Sequence, residues 1–253
     1  MVEPVAKARG VRPQPRDDEI LRQHFGAFRF STYEALHRIF WPDHEIDAVK
    51  KWVERMHAAG YVRTADLYAK VSYLSLTPEG AARAELPERY ARPLDDYHLA
   101  QHYGVLSLCC LGPVRYRKLS AQEFATKFPE LCVHNLETDW YYLDHDFQDE
   151  RFQARNRIGY IYVDVSRRLR DVKRRFEEVL SKRLGVQIWR ETIQRGQFIY
   201  TIVTTTASRQ GQLERFVKPH APPSVPVRFA VRRDLLNVMP QKKRHASQRS
   251  DNA

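Results

Sequence analysis

Apolar residues in the first third of the chain recur at helical spacing and then change to a strand-like pattern. In PDHEIDAVKKWVERMHAAG, residues Ile46, Val49, Val53 and Met56 fall on one face and Trp52 widens it, which predicts an amphipathic helix stopping at Gly60. His44, Asp47, Lys50, Lys51, Glu54 and Arg55 lie on the opposite arc. Two helices are expected before it. DDEILRQHFGAF (17–28) opens with acidic residues that suit a helix start, and STYEALHRIF (31–40) places Ser31 and Glu34 in a capping-box pattern. Beyond Gly60, strands near Tyr61–Thr64 and Val71–Leu76 form a hairpin. Thr77-Pro78-Glu79-Gly80 then begins another helix, with Thr77 as N-cap and Pro78 in the first helical position.

LPERYARPLDD (86–96), with two prolines and several charges, reads as a boundary between two units. After it the pattern predicts a buried helix over 95–112 and a shorter one over 120–131. Two β-rich runs follow, DWYYLD (139–144) and IGYIYVDVS (158–166). A long helix over 167–184 turns Leu169, Val172, Phe176, Val179 and Leu180 to one face. A strand over 198–206, a helix over 208–217 and a strand over 225–233 complete the series. This order predicts an α/β (α+β) fold with a mixed sheet.

The net charge of +11 changes the picture, because clustered Lys and Arg favour a polyanionic partner such as nucleic acid. Residues 1–16 read as a flexible basic arm and 237–253 as a basic tail. Three cysteines, Cys109, Cys110 and Cys132, make no disulfide framework and fit a reducing compartment. The first residues lack the apolar core of a signal peptide, and the longest apolar stretch, around GVLSLCCLG, is half of a membrane span. A cytoplasmic protein without membrane contact is expected. No CxxC pair, HExxH arrangement or Gly-rich phosphate loop occurs, so neither zinc nor ATP is implied and no cofactor is expected.

Helix, helix, hairpin, then YLSLTPEG, with AAGYV ahead of the hairpin, resembles the winged helix-turn-helix domains of bacterial regulators, where YxLTxEG closes the wing. The resemblance covers residues 17–85 and implies binding of double-stranded DNA, with 43–58 as the reading helix and Ala65–Lys70 as the wing tip. Carried over by position, His44, Lys50, Lys51 and Arg55 face bases or phosphates, and Arg63 and Lys70 neutralise phosphates. Farther along, Arg167, Arg168, Arg170, Lys173, Arg174 and Arg175 crowd into nine residues, either a phosphate-gripping surface or a solvated helix face.

One constellation in the second half carries potential catalysis. Asp139 begins one β run and Asp164 lies near the end of the next, as the carboxylates of PD-(D/E)XK nucleases do, with Glu123 in the place of an upstream helical acid. That resemblance implies Mg²⁺ or Mn²⁺ held by Asp139 and Asp164, which polarises a phosphate and generates hydroxide. Ser166 stands where the lysine belongs and Thr138 where the proline does. The alternative is a structural Asp164 paired with Arg167 or Arg168.

HFGAFRFSTYEALHRIF, YLSLTPEG, DYHLAQHYGVLSL, DWYYLD and YIYVDVSRR together resemble the replication-relaxation family of plasmids and mobile elements. The likeness implies a winged helix at 17–85, a linker at 86–96 and a trimmed nuclease-like domain at 97–236. It also implies a non-catalytic DNA-binding role in replication, maintenance or transfer, with replication or transfer proteins as partners. A metal-dependent nuclease, and a repressor whose C-terminal unit forms a homodimer, are the other readings.

Overall fold

The computed structural model describes residues 14–133, 136–144, 157–166 and 168–240. Most of the expected basic arm, the tail beyond residue 240, and Arg167 lie outside the described residues. Pro15 and Arg16, read as part of the arm, already belong to a helix. Val238, read as part of the tail, is buried in one.

The first expected helix is continuous but widened in its middle: α1 (Pro15–Glu19), a π-helical turn (Ile20–His24) and α2 (Phe25–Phe28). Arg29 follows with a φ of 68°, and β1 (Phe30–Thr32) comes next. Ser31 is therefore not the cap of the second helix. It lies in β1 opposite Leu74, and its hydroxyl sits 2.7 Å from His24 Nε2. Thr32 caps α3 (Tyr33–Phe40) instead, accepting from the Ala35 N–H at 3.2 Å. Pairing with a distant strand moved the cap by one residue. Either hydroxyl satisfies the local pattern, and the sheet decides between them.

The third helix, α4 (Ile46–Ala58), starts later than expected, because Pro42 to Glu45 are taken up in a turn. β2 (Val62–Tyr68) and β3 (Val71–Leu76) pair antiparallel with a bulge between Asp66 and Tyr68, and the sheet order is β1-β3-β2. The strands run farther than the sequence suggests, leaving Ala69 and Lys70 as the whole tip. Thr77 caps α5 (Pro78–Arg83) as expected, accepting from the Gly80 N–H at 3.0 Å. Gly80 is required there, since a side chain would run into the Tyr61 carbonyl.

Segment 86–96 holds a 3-10 turn (Glu88–Ala91) with Ala91 buried. Beyond it come α6 (Asp96–Leu106) with its π-helical extension (Ser107–Leu111), β4 (Arg117–Lys118) and α7 (Ala121–Lys127). Next are β5 (Tyr141–Asp144), β6 (Arg157–Val163), α8 (Leu169–Leu184) and α9 (Gln187–Gln194). The last elements are β7 (Phe198–Thr204), α10 (Ala207–Val217), β8 (Val227–Val231) and α11 (Leu235–Val238). The strands form a five-stranded sheet in the order β4-β5-β6-β7-β8, antiparallel up to β6 and parallel from β6 to β8. β7 is buried along its length, as an inner strand covered on both faces must be.

On one face of this sheet, Tyr160, Phe198, Tyr200 and Ile202 pack against Val172, Phe176, Trp189 and Leu213 of α8, α9 and α10. On the other, Ile161, Val163, Ile199 and Val203 meet Tyr103 and Leu106 of α6. The same cluster takes in Ala27, Phe28, Phe30 and Ala35 from the first third of the chain. Hairpin residues Leu67, Tyr68 and Tyr73 pack on it as well. A third cluster, including Phe25, Leu36, Val49, Trp52, Met56 and Leu74, fills the space between α4, the π-helical turn and the small sheet. The protein is a mixed α/β structure with two sheets. Among the described residues no helix is long and apolar enough to cross a membrane.

Candidate nucleic-acid interface

α4 lays Val49, Trp52, Val53 and Met56 on the core and turns Asp47, Lys50, Lys51, Glu54 and His57 to solvent. Lys50 bonds Asp47 at 2.8 Å, an exposed pair one turn apart, in which the Asp47 carboxyl is lowered by the hydrogen bond and the charge of Lys50. Lys51 is exposed and makes no ion pair among the described residues. His44 is exposed in the turn before the helix, where its carbonyl accepts from His37 Nε2.

Arg55 is engaged within the protein. Its guanidinium grips Asp17 of α1 through two bonds of 2.7 Å, and Trp52 Nε1 donates to the same carboxylate at 2.9 Å. Asp17 is 1% exposed, so Arg55 balances a buried charge and binds α4 to α1. Its place on the polar arc conceals this buried partner. Arg63 is engaged in the same way: Nε donates to the Ser75 hydroxyl at 3.1 Å and Nη2 to the Ala91 carbonyl. The hairpin it stiffens leans on the second half of the chain, where the Tyr68 ring meets Tyr103 edge-on at 6.1 Å. Lys70, at the tip, is exposed.

The basic run on α8 separates into two groups. Lys173 faces Glu177 at 3.6 Å, Arg174 faces Asp171 at 3.4 Å, and Arg175 holds Glu137 and Glu178. Arg168 and Arg170 are exposed with no acidic partner among the described residues, and Arg174 remains exposed beyond its weak pair.

The carboxylates of the nuclease reading are not gathered around one point. β5 and β6 pair Tyr141 with Tyr160, and continuing that register sets Asp139 opposite Tyr162, so Asp139 and Asp164 reach the same end of the sheet. They nevertheless open into different cavities. Asp164, 2% exposed, is bound by Arg209 of α10 at 2.7 Å and 3.3 Å. Burial pushes its carboxyl up, against the opposing pull of Arg209. Among the described residues its partner is thus Arg209 and not Arg168, and Arg167 lies outside them. Glu123 closes the cap of α7 with Ser120 and pairs with Arg117 at 3.0 Å. Ser166 donates to Asp171 at 3.1 Å. Among the described residues no group of three or more His, Cys, Asp or Glu side chains is placed to hold a metal ion. Cys109 and Cys110 are buried, and burial raises the Cys109 thiol to about 12.

The sequence reading passed over Arg209, although parallel strands offered a clue. β6 and β7 are neighbours in register, so the segments leaving their carboxyl ends must meet. It also passed over Arg29, His102 and Lys118, which line a small cavity with Asp139. Comparison of the chain with protein-family models, with curated proteins and with solved structures finds no match.

Proposed function

We propose that this chain binds double-stranded DNA through a winged helix-turn-helix built from residues 30–91, and acts without catalysis. The observation that carries the reading is an arrangement: two helices, α3 and α4, joined through a short turn and followed by a hairpin whose second strand pairs with β1. α3 and the hairpin lean on the second half of the chain, while the polar face of α4 stays in solvent. A helix so presented fits the major groove, about 12 Å wide.

In this reading Lys50 and Lys51 are the contacts α4 offers. The exposed Lys50–Asp47 pair contributes little to stability and exchanges readily for a phosphate. Lys70 at the hairpin tip and Arg168 and Arg170 at the start of α8 supply further phosphate contacts, and the net charge of +11 adds a general attraction. The commitment of Asp164 to Arg209 and of Glu123 to its cap weighs against the nuclease reading. The sequence resemblance to replication-relaxation proteins supports setting this binding in replication, maintenance or transfer of a mobile element.

The test is a salt titration of binding to labelled duplex, comparing random DNA with DNA flanking the protein's own gene. Binding is expected to weaken steeply with salt, and replacing Lys50 and Lys51 by Ala lowers the log–log slope by about 1–2. No binding at moderate salt, or an unchanged slope in the double variant, overturns the reading.

A further inference from the structure

We propose that the cavity between α2, α6, β4 and the start of β5 is a binding site for a tetrahedral oxyanion of the phosphate class. The cavity is about 80 Å³ and is lined by Arg29, Arg89, His102, Lys118, Ser120 and Asp139 among others. One water needs roughly 10–15 Å³ of such space, so the cavity has room for several waters or one tetrahedral anion.

Its charges are unbalanced. Lys118 is 6% exposed, yet its ammonium reaches two backbone carbonyls, Leu119 at 2.6 Å and Asp139, and no carboxylate among the described residues. An ammonium carries three donors, and two carbonyls leave one unused. Arg29 Nε is buried with no hydrogen-bond partner, while Nη2 of the same side chain is fixed by the Arg89 carbonyl. Arg89 itself has no acidic partner among the described residues, and its guanidinium lies over the Tyr90 ring at 5.8 Å. Against these three cations stands one carboxylate, the exposed Asp139.

One neighbour, His102, registers the nearby cations. His102 is held neutral, pushed down to about 3, first by burial and then by Arg29 and Lys118. Burial lowers Lys118 to about 8 and lowers Arg29 as well. Lys118, buried, and Arg29, half-buried, hold spare donors that cost free energy until an anion accepts from them, while Arg89 is exposed at the rim. Guanidinium and ammonium groups converging from separate elements suit an oxyanion with several acceptors. Asp139 is the acidic member of the ring and opposes such an anion.

The site stands independently of duplex binding by α4. Its ligand is free phosphate or the terminal phosphate of a nucleic-acid strand, and two experimental arms separate them. In the first, the full chain is titrated with inorganic phosphate at neutral pH in chloride buffer and followed by calorimetry. Saturable one-to-one binding is expected. Arg29→Gln and Arg89→Gln, which leave Lys118 in place, should each weaken it about tenfold, and Asp139→Asn should tighten it. Absence of saturable binding, or binding indifferent to both arginine variants, overturns the proposal. In the second arm a single strand with a 5′-phosphate is compared with the same strand without it. Tighter binding of the phosphorylated strand, lost in Arg29→Gln, assigns the site to strand ends. Equal binding of the two strands beside saturable inorganic phosphate assigns it to the free ion. Unchanged duplex affinity in Arg29→Gln separates this site from the one on α4.

Discussion

His24 shows how much one buried side chain can set. It is 4% exposed, ringed by Phe25, Phe28 and Phe40, with Ser31 as its hydrogen-bond partner. Burial pushes its pKa from 6.5 down to about 3. Between those values the unfolded chain binds a proton that the folded chain refuses, so stability is lost as pH falls from 6.5 towards 3. The slope is roughly 1.4 kcal/mol per pH unit for one such group. His102, lowered to about 3 with burial again the first cause, adds to it. Urea midpoints should therefore drop steeply from neutral pH to about pH 4, and His24→Phe should flatten part of that drop while keeping the aromatic packing. An unaltered slope in the variant would mean that His24 titrates normally. Arg55 carries a different lesson at this scale. A cation on the polar arc of a helix looks free in the sequence, yet its partner Asp17 lies 38 positions away.

Among the elements, α6 packs tightly on the large sheet at Gly104. Gly104 faces Val163 of β6, and a methyl group on Gly104 would overlap both branches of that side chain. The helix must move off the sheet or Val163 must leave its rotamer, so Gly104→Ala should destabilise by about 1–3 kcal/mol. Val163→Ala opens space at the same point. The double variant should be more stable than the sum of the two single losses implies, and urea denaturation of all four forms measures the coupling. Additive losses would show that the two residues are not in contact. Element types in this region were legible because α6 and β6 are long and apolar. The closeness of their packing was not, since a glycine in a helix looks the same whether it faces a strand or open solvent.

For the whole molecule, the consequential feature is the cluster that takes Phe28, Phe30 and Ala35 from the first third and packs them with Tyr103, Val163 and Val203. Arg38 of α3 also donates to the Leu111 carbonyl at 2.9 Å, and Tyr68 of the hairpin meets Tyr103. Unfolding either half alone would expose apolar surface in the other. Heating should therefore give one calorimetric transition, with calorimetric and van't Hoff enthalpies in agreement. Two separated transitions would show that the shared cluster contributes little to coupling.

By itself the sequence determined which of the longer segments become helix and which become strand. The hairpin behind α4, the Thr77 cap and the long α8 follow from periodicity and cap chemistry that act over a few residues, and the mixed sheet from the order of those elements. Short pieces escaped it. β1 and β4 span three and two residues, too few for a period to stand out, and α9 was passed over between α8 and β7. Tertiary structure alone decided partnership: Ser31 to the sheet rather than the cap, Arg55 to Asp17, Asp164 to Arg209, and Arg29 and Lys118 to one cavity. The physical reason is that periodicity specifies which face a side chain occupies. The group that meets it there is set by how distant elements pack.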